Sequence, residues 1–210
     1  MEQIKFNTAE KLLQIKAIKL QPTNYFTWAS GWYSPIYCDN RKTLSYPDVR
    51  NYIRNSFVQI IKNKYPDVEV IAGVATGAIA IGVLVAEAMN LPFIYIRASS
   101  KGHGLQNQVE GAYTAGQKVV VIEDLVSTGG SSLKAVEALR AENIDVLGML
   151  AIFTYGFKIA EDNFTKANIE LTTLSNYNVM IELAAKKDYI KDADKETLAQ
   201  WRTAPEKWNK

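Results

Sequence analysis

Glu123 and Asp124 stand side by side after an apolar run, and a cluster of hydroxyls and glycines follows them directly: V-V-V-I-E-D-L-V-S-T-G-G-S-S over residues 119–132. Four β-branched residues bounded by polar punctuation suit a strand buried on both faces, and Leu133 to Arg140 carries apolar residues at helical spacing. Between them lies a strand-to-helix turn. Ser127, Thr128, Gly129, Gly130 and Ser131 offer hydroxyls and uncovered backbone N–H groups at the positive end of that helix, where a phosphate dianion is favoured. The carboxylates of Glu123 and Asp124, placed where the strand runs out, would repel a bare phosphate. They suit sugar hydroxyls, or a cation that phosphates bring with them. A sugar phosphate is the ligand this order of residues fits. Turn and N-cap chemistry after a core strand is the plainer explanation, but it accounts for one hydroxyl and leaves the carboxylate pair and the glycine pair without a reason.

The same strand–turn–helix order occurs earlier. Glu69 to Ala72 reads as a strand, Gly73, Val74, Ala75, Thr76 and Gly77 follow as a turn, and a helix begins at Ala78. If the two strands are neighbours, at roughly 5 Å spacing, one ligand could carry a phosphate at each end with its sugar over Glu123 and Asp124. A tight turn with no ligand is the alternative for this loop taken alone. A third element runs from about 98 to 111, polar and punctuated by glycine, and it holds His103, the only histidine of the chain. Arg97, Lys101 and His103 recur within seven positions. Three cations closing over a leaving phosphate group would stabilise developing charge and shut out water, so this stretch reads as a lid.

Around these segments the chain alternates strands and helices. Strands are expected at Glu69 to Ala72, Phe93 to Arg97, Lys118 to Ile122, Val146 to Phe153 and Ile169 to Leu174, with helices at Pro47 to Asn63, Ala78 to Met89 and Leu133 to Arg140. The expected fold class is α/β, a parallel sheet with helices on both faces and ligands outside the carboxyl ends of its strands. Three parts are expected: an N-terminal hood over 1–45, a core over 46–190, and a C-terminal helical tail over 191–210 packed on the core. The hood combines a short helix around Glu10 to Ile18 with an aromatic hairpin from Phe26 to Asp39, Gly31 lying near its turn.

Composition narrows the function. With 24 Lys plus Arg against 22 Asp plus Glu the net charge is +2, and without a long basic run nucleic acid is a poor partner. One cysteine, Cys38, excludes an internal disulfide framework and fits a reducing compartment, where it reads as an inert buried thiol. No apolar stretch is long enough to cross a bilayer, so a cytoplasmic location is expected. Gly111 to Lys118 nearly spells a phosphate loop, but Gln117 occupies the lysine position and the segment precedes a strand.

Taken together, these residues resemble the type I phosphoribosyltransferases, whose hallmark is a hydrophobic strand, two acidic residues and a Thr/Ser-Gly turn. The likeness is closest to the orotate phosphoribosyltransferases, carried by Ser30 to Arg41 (S-G-W-Y-S-P-I-Y-C-D-N-R), by Lys101-Gly102-His103-Gly104 with Asn107-Gln108, and by Glu123 to Gly130. The resemblance implies a parallel-sheet type I phosphoribosyltransferase core under a small hood. It implies transfer of the phosphoribosyl group from phosphoribosyl pyrophosphate to orotate, with Mg²⁺ as cofactor and few or no direct protein ligands to the metal. By motif, Arg97, Lys101, His103 and the run Glu123, Asp124, Leu125, Val126, Ser127, Thr128, Gly129, Gly130, Ser131 would bind phosphoribosyl pyrophosphate. Gly73 to Gly77 would receive pyrophosphate, and Lys101 and His103 would be catalytic, acting across a homodimer. Orotate would meet Ser127, Ser30, Gly31 and Tyr37. The chain departs from many relatives where a cation meets the base: Ala29 replaces a hairpin lysine, Tyr33 the lysine before Ser34-Pro35, Ala98 a basic residue after Arg97, and Tyr155 or Gly156 an arginine. Backbone amides near Ser30 and Gly31 are the expected substitute. A transferase for another base, or a regulator sensing phosphoribosyl pyrophosphate, are the competing readings.

Overall fold

The computed structural model describes residues 1–28, 30–98 and 108–208. The uninterrupted Val/Ile runs become the centre of a sheet because each successive side chain enters a different core. Val120 and Ile122 point to one face, Val119 and Val121 to the other, and all four are fully buried. Among the described residues the sheet has six strands: β5 (Val70–Val74), β6 (Phe93–Ile96), β7 (Val109–Glu110), β8 (Lys118–Val126), β9 (Asp145–Thr154) and β10 (Leu171–Asn176), in the order β10-β9-β8-β5-β6-β7. All neighbours run parallel except the β6–β7 edge pair. On one face lie α1 (Glu2–Gln14), α2 (Pro47–Lys64), α3 (Ile79–Met89) and α6 (Tyr177–Lys186); on the other lie α4 (Gly130–Ala141) and α5 (Lys158–Lys166). The expected α/β class is what the chain forms.

Two boundaries differ from the sequence reading, each for a visible reason. The first helix occupies Glu2–Gln14 instead of Glu10 to Ile18, burying Thr8, Ala9, Leu12 and Leu13. Lys16 then takes a left-handed φ of 55°, which ends it and frees Ile18 for β1 (Ile18–Leu20). The aromatic segment forms two ladders instead of one hairpin. β2 (Phe26–Thr27) pairs with β3 (Tyr33–Ser34), while Pro35 separates β3 from β4 (Ile36–Cys38), which pairs with β1. The C-terminal segment forms α7 (Asp194–Thr203), a helix that packs on the core through Leu198 and Trp201, the latter fully buried in the same cluster as α1 and α2.

Candidate active site

β8 outruns its expected end at Ile122 because β9 pairs with it as far as Val126. Glu123 and Asp124 therefore sit inside the last turns of the ladder, on opposite faces. Glu123 is only 4 % exposed; its Oε2 accepts from the Ser132 hydroxyl at 2.9 Å and its Oε1 from the Asp124 N–H at 2.9 Å. Asp124 turns toward the hood, where buried Asn40 donates Nδ2–H to its carbonyl at 2.6 Å. Leu125 is half-buried and Val126 fully buried, its carbonyl accepting from the Thr154 hydroxyl at 3.0 Å.

Beyond Val126 the chain turns through Ser127 and Thr128, both half-buried, to Gly129. Here glycine is required twice over: φ is +83°, and a Cβ would stand 2.8 Å from the Phe164 ring. Asn163 donates Nδ2–H to the Thr128 carbonyl at 3.1 Å, tying the turn to α5. Gly130 and Ser131 are exposed and α4 starts without a side-chain cap. Its first N–H groups thus face outward at the positive end of the helix, an arrangement made for an anion.

The second cradle is the neighbour of the first, since β5 pairs with β8. Of the five residues assigned to it, Gly73 and Val74 lie within β5 and are buried, and only Ala75, Thr76 and Gly77 form the loop. Gly73 serves packing: a Cβ would stand 2.9 Å from the Phe93 ring. Ala75 N–H donates to the Ile96 carbonyl at 2.8 Å. Gly77 brings the cradles into contact, because a Cβ there would lie 2.3 Å from the Asp124 carboxylate.

Arg97 closes β6. Its N–H donates to the Gln108 carbonyl at 2.9 Å, and its guanidinium pairs with Glu110 at 3.5 Å. Val109–Glu110 is a paired strand, so it belongs to the sheet edge and not to the lid assigned to 98–111. Lys101, His103 and the hairpin's Ala29 lie outside the described residues.

The hood presents Tyr37, 39 % exposed, with its ring 5.6 Å from Phe26. Ser30 is exposed, and Gly31 takes a φ of +86° while donating its N–H to the Trp28 carbonyl at 2.8 Å, so that amide is already engaged within the turn. Burial, then Cys38, Tyr37, Tyr177 and Asp124 around it, push the Tyr155 phenol well up. Burial likewise raises the Cys38 thiol, which donates to Asn40 Oδ1 at 3.3 Å. Sequence reasoning missed Asn40 and Ser132. Their signals were an asparagine following the S-P-I-Y-C-D segment and one more hydroxyl in S-T-G-G-S-S.

The carboxylate pair is strained electrostatically. Burial, then the Asp124 charge, push Glu123 up to about 8, and burial raises Asp124 as well. A divalent cation near this pair would relieve that cost, so the donor set fits Mg²⁺ carried on a substrate. Because the folded value of Glu123 lies above that of a free glutamate, its favourable contribution is complete at pH below about 4.5 and is lost as pH rises through about 8. Glu123→Gln keeps both hydrogen bonds possible without the charge. In the ligand-free protein its melting temperature should match that of the original at pH 5 and exceed it by a few degrees at pH 9, as thermal scans across pH would show.

Residues 43–184 match the phosphoribosyl transferase domain. The chain is 56% identical over 201 residues to an orotate phosphoribosyltransferase of Bacteroides thetaiotaomicron, covering 96% of this chain and 95% of that protein. Among solved structures it is similar to UMP synthase from Leishmania donovani, with a TM-score of 0.77 at 26% identity. The match covers 94% of this chain and 42% of that one, so the chain spans less than half of that protein. It is also similar to orotate phosphoribosyltransferase from Aeropyrum pernix, with a TM-score of 0.75 at 25% identity over 87% of this chain and 98% of that one.

Proposed function

The chain belongs to the orotate phosphoribosyltransferases, within the phosphoribosyl transferase family, and from that premise we propose how its two cradles divide the work. The elbow at Ser127 to Ser131 holds the 5′-phosphate of phosphoribosyl pyrophosphate through hydroxyls and the open N-terminus of α4. Asp124 accepts from the ribose hydroxyls, and Glu123 supports it from the other face. The Ala75 to Gly77 loop receives the pyrophosphate. The single observation that supports this reading is the close approach of Gly77 to the Asp124 carboxylate, which joins the two turns at one side chain.

The reaction transfers the 5-phosphoribosyl group to orotate, giving orotidine 5′-phosphate and pyrophosphate, a step of de novo pyrimidine (UMP) biosynthesis. The C1–oxygen bond to pyrophosphate breaks as the bond from C1 to the base nitrogen forms, and positive charge builds on the ribose. Asp124, below the sugar, faces that charge. Lys101, His103 and Arg97 meet the negative charge leaving on pyrophosphate. Mg²⁺ supplies further neutralisation of the pyrophosphate oxygens. Orotate lies between Tyr37 of the hood and Ser127 of the elbow, near Ser30 and Gly31. The family resemblance supports a homodimer in which Lys101 and His103 act over the neighbouring subunit's site. No helix among the described residues is long and apolar enough to cross a membrane, and we place the enzyme in the cytoplasm. Given phosphoribosyl pyrophosphate and Mg²⁺, the protein should consume orotate and leave uracil and hypoxanthine untouched.

A further inference from the structure

The hood cannot hold itself in place. β2 and β3 pair over two residues each, and so short a ribbon is marginal in water. α7 supplies the anchor. Trp201 donates its indole N–H to the Tyr33 carbonyl at 3.0 Å, and its ring meets Trp28 edge-on at 5.7 Å. The next residue, Arg202, reaches the turn after β9 and donates through Nη1 to the Gly156 carbonyl at 3.1 Å. That turn carries Tyr155, whose ring lies 4.9 Å from Trp28. Consecutive residues of one helix therefore grip two walls, the hairpin and the 154–157 turn, and an aromatic base must enter between hood and core. α7 also lies outside the residues that match the shared domain.

We infer that α7 is a specificity strap for the base. Trp201 and Arg202 are positioning residues that fix the separation of the hairpin from the 154–157 turn, and with it the affinity for orotate. The phosphate cradles do not depend on α7, because β9 pairing holds Val126 and the Ala75 N–H bond to the Ile96 carbonyl holds the second loop. The inference rests on the orotate reading and adds to it a part of the chain that touches neither substrate.

Trp201→Phe keeps an aromatic ring, though a smaller one, and removes the donor; Arg202→Ala removes the second tie; Arg202→Lys retains a cationic donor. Steady-state kinetics with both substrates, started with the unaltered protein, give the test. The KM for orotate should rise about fivefold in the first two variants, the scale of one lost hydrogen bond. The KM for phosphoribosyl pyrophosphate and kcat should stay within about twofold, and Arg202→Lys should recover part of the orotate affinity. An unchanged orotate KM in Arg202→Ala, or equal increases in both KM values, overturns the strap. Arg202 is partly exposed, so its variant decides the matter even if Trp201→Phe does not fold. Unaltered protein that binds phosphoribosyl pyrophosphate but never turns over orotate would defeat the parent reading instead.

Discussion

Gly77→Ala should lower kcat/KM for phosphoribosyl pyrophosphate by about a hundredfold while the protein still folds. The added Cβ would stand 2.3 Å from the Asp124 carboxylate, so either the carboxylate rotates away or the loop withdraws by about 1 Å, a misplacement on the scale that costs about two orders of magnitude in rate. Gly77 has no left-handed φ, which leaves alanine free of backbone strain. The stability cost should therefore be confined to overpacking, about 1–3 kcal/mol. Kinetics and a melting curve on the same preparation separate the two effects. A change in kcat/KM below threefold would mean that the contact between the cradles has no part in substrate binding.

Lys101→Ala should reduce kcat by about 10²–10³-fold, the size expected when one donor to developing charge is removed. In the proposed reaction the pyrophosphate would leave beside the Ala75 to Gly77 loop, which offers backbone and hydroxyl groups alone, so cations would have to be brought from elsewhere. Arg97 is partly committed to Glu110, which puts the weight on Lys101 and His103. Mixing Lys101→Ala with Asp124→Ala tests the shared site. Random reassortment of a dimer gives hybrids in which one site has both residues intact, so about a quarter of the original activity should return. Full activity in Lys101→Ala removes its role, and no recovery on mixing means that each lid serves its own subunit.

The central sheet was legible because its strands are covered on both faces, and covered strands write themselves as runs such as Val119 to Ile122. The elbow was legible as a strand-to-helix turn because the left-handed φ and the close Phe164 ring at Gly129 call for glycine. The end of β8 was not, since Glu123 and Asp124 break the apolar run and only the partner strand shows that the ladder continues to Val126. Gly73 looked like part of a cradle, yet glycine there answers to the Phe93 ring, a contact between elements that no local pattern reports. The depth of Trp201 was not legible for a related reason: it stands among charged residues, and its burial depends on Trp28, Tyr155, Phe157 and Tyr177, scattered over 150 positions of the chain.

The central claim is that the acidic strand end and its glycine turn hold an activated ribose for transfer to orotate. It is tested most directly by following orotate absorbance and pyrophosphate release together, with purified protein, phosphoribosyl pyrophosphate and Mg²⁺. Orotate should disappear and pyrophosphate accumulate in equal amounts, with neither change when Mg²⁺ is chelated. Persistence of orotate under these conditions, or turnover of uracil or hypoxanthine in its place, would contradict it.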